Sequence, residues 1–129
     1  MSLDPIANAL TAIKNSESAA KKICTLRPAS KLLREILRVM QENGYIDGYE
    51  FLDDKREGQF KIKLGGKLNA CKAIKPRYAV QKDGFEKYEK RYLPSRDIGI
   101  MIVSTPQGVV SHKIAKQRGI GGRLIAFVY

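Results

Sequence analysis

The stretch from Ile98 to Tyr129, IGIMIVSTPQGVVSHKIAKQRGIGGRLIAFVY, contains no Asp or Glu. Its apolar runs fall far short of the ~20 residues a membrane span needs, so they read as buried strands. Two tight turns break the segment, Ser104-Thr105-Pro106-Gln107-Gly108 and Gly119-Ile120-Gly121-Gly122. The whole reads as a buried core edged by small donors and by the unneutralised cations Lys113, Lys116, Arg118 and Arg123. An edge of that kind suits a surface that meets phosphate.

The charge of the whole chain points the same way. Net charge is +11 over 129 residues. Residues 1–66 hold 11 Lys/Arg and 9 Asp/Glu, a net of +2, whereas residues 67–129 hold 13 and 4, a net of +9. A polyanion is the expected partner, because protein cations displace the counterions condensed on phosphates. A generally solvated basic surface would account for the total but not for the asymmetry. Hydrophobic residues make up 43%, enough to fold one domain or two small ones sharing a core. The opening MSLDPIANALTAIKNSE lacks the layout of a secretory signal, so the chain reads as cytosolic with no membrane partner. Cys24, Cys71 and the single His112 do not make a zinc pattern, and the two cysteines read as buried free thiols. No metal or cofactor is expected.

Elements can be placed along the chain. Asp4 caps a first helix with Pro5 at its first position, and Ile6, Ala9, Leu10 and Ile13 form its apolar face. Lys21 to Leu26 reads as a strand ended by Pro28. Ser30 caps a second helix with a core stripe of Leu33, Ile36, Leu37 and Met40, closed by an αL Gly44. Tyr45 to Leu52 and Gln59 to Leu64 read as strands joined by the polar turn Asp53 to Gly58. Gly65-Gly66 is the expected junction between a domain at 1–66 and a domain at 67–129. In the second, Cys71 to Ile74 is a candidate strand broken by Lys75-Pro76-Arg77-Tyr78. Asp83 to Tyr92 is a short helix, Ile98 to Val103 a strand, Ser111 to Gly119 a short helix, and Arg123 to Val128 a last strand. The fold class is therefore α+β: an N-terminal α-β-α-β-β half packed against a mainly β half with short helices.

Catalysis finds little support. A Ser104–His112 pair lacks an orienting carboxylate nearby in sequence, and His112 reads as a surface or helix N-terminal imidazole. Gly119-Ile120-Gly121-Gly122 follows a helix and precedes a strand, the reverse of a dinucleotide loop. It reads as a helix stop and tight turn, or as a place where backbone meets a nucleic acid closely. Ser104, Thr105, Pro106, Gln107 and Gly108 follow a buried strand, so their hydroxyls, amide and N–H groups suit sugar, phosphate and base edges; a plain β-turn is the alternative. Lys75, Arg77, Tyr78 and Lys82 interleave cations with an aromatic, which fits backbone contact with stacking or equally a solvated strand edge. Lys87, Lys90 and Arg91 alternating with Glu86 and Glu89 read as a solvated helix face, and Phe85, Tyr88 and Tyr92 read as core.

Together these residues resemble the universal small-subunit ribosomal protein eight family over essentially the full length. The resemblance is carried by Asp4-Pro5-Ile6-Ala7 with Leu10-Thr11 and Ile13-Lys14-Asn15, by Ser104-Thr105-x-x-Gly108 followed by Val109-Val110, by Ala115-Lys116, and by Gly121-Gly122 before a closing strand. It implies a structural constituent of the small subunit that binds a helical region in the central domain of 16S rRNA early in assembly. The partners implied are that RNA, other small-subunit proteins and, in some members, their own messenger RNA, with a monomer off the ribosome. By position, Ser104 and Thr105 would touch a distorted part of the RNA helix, and Gly121 and Gly122 would let backbone approach it. Arg123 and Lys113 would meet phosphate, and Asn8, Thr11 and Lys14 would give a weaker second contact. Pro106-Gln107 and Arg123 depart from the bacterial pattern of Ser-Lys and Glu; the Lys75 to Tyr78 region is similar to the archaeal and eukaryotic branch. A sequence-tolerant nucleic-acid binder and an enzyme acting on a phosphorylated substrate are the competing classes.

Overall fold

The computed structural model describes residues 4–27, 29–95 and 97–129. Among them, four helices and eight strands form an α+β fold with two antiparallel sheets. The chain divides into two compact units, Met1–Cys71 and Lys72–Tyr129.

The first unit packs two helices on a three-stranded sheet. In α1 (Pro5–Ser18), Asp4 Oδ1 accepts from the Ala7 N–H at 3.1 Å, and Ile6, Ala9, Leu10 and Ile13 are buried. In α2 (Lys31–Glu42), Ser30 Oγ accepts from the Leu33 N–H at 3.1 Å. Strands β1 (Ile23–Leu26), β2 (Gly48–Leu52) and β3 (Gln59–Lys63) lie in the order β1-β3-β2. The register pairs Cys24 with Ile62 and Leu26 with Phe60, so these four apolar side chains share the buried face. The expected stop for the first strand, Pro28, lies outside the described residues.

The second strand, expected over Tyr45 to Leu52, is shorter than its β-forming composition implied. It starts at Gly48, because Tyr45 donates its N–H to the Met40 carbonyl at 2.9 Å and so closes the end of α2. Asn43 is the cap residue of α2, and Gly44 takes the left-handed φ of +80° one position later. The Asp53 to Gly58 turn is held by Asp54, whose Oδ1 accepts from the Arg56 and Gly58 N–H groups at 3.0 Å each. The Gly58 hydrogen bond is the main cause that keeps the Asp54 carboxyl below its ordinary range. Cys24 and Cys71 are buried and free. The Cys71 thiol donates to the Leu10 carbonyl at 3.2 Å, and burial pushes its pKa up to about 12.

The second sheet runs β4 (Cys71–Ala73), β8 (Gly122–Val128), β6 (Ile100–Thr105), β7 (Gly108–Ser111), with β5 (Ala79–Val80) also paired to β8. Helices α3 (Phe85–Tyr92) and α4 (His112–Arg118) bring Phe85 and Ala115 onto a core of Ile74, Val80, Met101, Val103, Val110 and Leu124. Strands β5 and β7 had no counterpart among the elements read from sequence. Both are too short for alternation to reveal, and each exists through its partner strand. The break at Lys75 to Tyr78 falls between β4 and β5 and contains a cis Lys75–Pro76 bond.

Candidate nucleic-acid interface

The 104–108 segment is the tip of a hairpin. Ser104 faces Val109 and Thr105 faces Gly108, which leaves Pro106-Gln107 as a two-residue loop. The Thr105 hydroxyl donates to the Gly108 carbonyl at 2.7 Å and accepts from the Gln107 N–H at 3.1 Å. Thr105 is 9% exposed, and its hydroxyl locks the turn. The outward groups are those of Ser104, Pro106, Gln107 and Gly108, all exposed. Proline fixes one backbone angle of this loop, so the tip is presented with little freedom.

Two cations reach the tip, one from β8 and one from α4. Arg123 lies directly across from Ser104 in the β6–β8 register and from Ala79 in the β5–β8 register. Its Nη1 donates to the Arg77 carbonyl at 3.4 Å. Arg118, at the end of α4, donates from Nη1 to Gln107 Oε1 at 3.5 Å. Sequence reading did not place Arg118 in the site; the signal for it was its place in the carboxylate-free run. Tyr78 is half-buried and accepts the Leu124 N–H at 3.0 Å, so it lies beside the same end of β8. Lys75 is exposed at the cis bond. Lys113 is exposed in the first turn of α4, at the opposite end of that helix from Arg118.

Gly121 and Gly122 are tightly packed against their own chain. A Cβ at Gly121 would lie 2.2 Å from the Val80 carbonyl oxygen, and one at Gly122 would lie 2.3 Å from that of Ser104. Their close backbone approach is to β5 and β6, and it is what brings Arg123 up to the hairpin. In the first unit, Asn8, Thr11 and Lys14 are exposed along one face of α1, opposite its buried stripe.

His112 opens α4 as a helix N-terminal imidazole, as expected, whereas Glu89 departs from its sequence reading. Both are buried, at 1% and 5% exposure. His112 Nδ1 accepts from the Met101 N–H at 3.0 Å, so the proton resides on Nε2, which lies 3.3 Å from Glu89 Oε1. Lys116 Nζ donates to the same oxygen at 2.8 Å. Glu89 therefore faces inward and ties α3 to α4, where a solvated helix face was expected. Burial is the main cause that lowers the His112 pKa to about 4, with Lys116 and Lys113 adding to it and Glu89 opposing. Both ring nitrogens are engaged, so the imidazole has no atom left to take a proton from Ser104.

A turn held by the Thr105 hydroxyl, with a guanidinium group on either side of it, has the chemistry to meet phosphate. The family model described as Ribosomal protein S8 matches residues 4–129. The chain belongs to this family. The family's members are cytoplasmic small-subunit ribosomal proteins that bind rRNA within the translating ribonucleoprotein, alongside other ribosomal proteins. It is a structural family and not an enzyme family. Among the described residues, no helix is long and apolar enough to cross a membrane.

Proposed function

We propose that this protein is a primary rRNA-binding protein that docks on a helical region in the central domain of 16S rRNA and promotes assembly of the small subunit. The observation that carries the reading is the convergence of Ser104, Gln107, Arg118 and Arg123 around one hairpin tip, with the Arg77 backbone carbonyl holding Arg123. The tip reads the shape of a distorted helix across its minor groove, with Ser104 and Gln107 reaching hydroxyls and base edges. Arg118, Arg123, Arg77 and Lys75 hold flanking phosphates. Thr105, Gly108 and Pro106 set the loop's form, and Gly121 and Gly122 set the position of Arg123. Lys113 meets phosphate further along the RNA, and Asn8, Thr11 and Lys14 provide a second contact from the first unit. A messenger segment that reproduced the same distorted helix would bind the same surface, and the protein is a monomer off the ribosome.

The test compares a central-domain rRNA fragment with a length-matched generic duplex across a salt series. Selective binding that survives physiological salt is expected. Equal affinities that fall together with salt would favour a sequence-tolerant binder, since phosphate contacts alone are lost steeply as salt rises.

A further inference from the structure

Helix α3 carries two columns of side chains at i,i+4 spacing, Tyr88 with Tyr92 and Lys87 with Arg91. Both tyrosines are only partly buried against the core, unlike Phe85, which is 1% exposed and fills it. The rings continue onto neighbouring elements. Tyr88 packs on Tyr78 at 5.4 Å between centroids, and Tyr92 stacks on Phe127 of β8 at 5.5 Å. Phe127 in turn stacks on Tyr129 at 6.1 Å. Arg91 joins the two halves, its Cζ 5.4 Å from the Tyr78 ring and 5.2 Å from the Tyr92 ring. Lys87 Nζ lies 5.6 Å from the Tyr88 ring. These cation distances fall within the ~6 Å over which a ring face attracts a cation.

The result is a continuous ladder of aromatic faces and cations that starts at Tyr78, beside the hairpin surface, and runs along α3 to β8. Its acidic neighbours are largely neutralised: Glu86 pairs with Lys90 at 3.7 Å, and Glu89 turns inward to Lys116 and His112. An apolar cap over the core needs no guanidinium between its rings. π-Faces alternating with cations are what single-stranded RNA requires, since bases stack on rings or guanidinium planes while cations hold the backbone.

We propose that this ladder is a stacking platform for unpaired nucleobases, distinct from the helix-reading hairpin tip. The proposal takes its ligand class from the rRNA-binding reading and does not depend on which rRNA helix is bound. Arg91 and Tyr92 are its centre, because the guanidinium bridges the rings.

The full chain is titrated with an oligoadenylate of about 12 nucleotides and with an abasic strand of equal length and charge; stacking favours the first by about 10-fold or more. Arg91→Lys keeps the charge and loses the plane, and Tyr92→Leu keeps the bulk and loses the ring. Each reduces that preference by about 5-fold or more while affinity for the central-domain fragment is retained. Equal affinities for the two strands, or a preference unchanged in Arg91→Lys, would overturn the proposal. A photoreactive residue at Tyr92 in assembled small subunits is expected to form adducts with RNA; adducts with protein alone would assign the ladder to a protein neighbour and reject it. Loss of selectivity for the central-domain fragment, with the oligoadenylate preference intact, would refute the central-domain reading and leave the platform standing.

Discussion

Acidification from pH 7 to pH 4 removes stability through His112. The folded protein holds this imidazole neutral, its pKa lowered from 6.5 to about 4, chiefly by burial. The groups that face it are the Met101 N–H, Glu89 and Lys116, with Lys113 nearby. In the unfolded chain the imidazole returns to an ordinary pKa. Between pH 6.5 and 4 the unfolded state therefore binds more protons, and stability rises with pH across that window. The contribution is fully present above pH 6.5, declines as pH falls, and levels off below about 4. A shift of that size is worth about 3 kcal/mol, at about 1.4 kcal/mol per pKa unit. The perturbation that isolates it is His112→Asn, whose amide oxygen accepts the Met101 N–H and does not titrate. Urea denaturation followed by circular dichroism gives the stability of both proteins at each pH. The wild type loses about 3 kcal/mol relative to the variant between pH 7 and pH 4. Parallel stability curves would refute the reasoning, because they would mean the imidazole protonates equally in both states.

Three further outcomes follow from the site's geometry. Gly121→Ala drives a methyl group into the Val80 carbonyl, so it destabilises the second unit by about 2–3 kcal/mol. A thermal midpoint equal to the wild type's would contradict that contact. Thr105→Ala frees the turn and costs about 1 kcal/mol, and it weakens binding to the central-domain fragment more than binding to generic duplex. Thr105→Ser restores both, since it keeps the hydroxyl; failure of that rescue would show that the methyl group is what matters. Arg123→Ala lowers the slope of log affinity against log salt by about 1, and an unchanged slope would remove Arg123 from phosphate contact.

Local chemistry was legible along the chain. Asp4-Pro5 and Ser30 cap their helices as their side chains dictate, because a cap satisfies backbone N–H groups within three residues of itself. The buried stripes of α1 and α2 follow from helical period alone. The absence of carboxylates after Asp97 marked the basic surface, since charge sign does not depend on conformation. The family motifs were legible for the same reason: they are short, and their order along the chain is itself the signal.

What the tertiary structure decided is everything that depends on distant residues meeting. Strands β5 and β7 exist through β8 and β6. The missing side chains of Gly121 and Gly122 make room for Val80 and Ser104, a constraint no local pattern shows. Glu89 looked like part of a solvated helix face, and it is buried because α4 brings His112 and Lys116 onto it. Arg118 joined the site only when the chain reversal after β7 carried it back to Gln107. Propensity, period and charge are properties of neighbours in sequence, whereas burial and pairing are properties of neighbours in space.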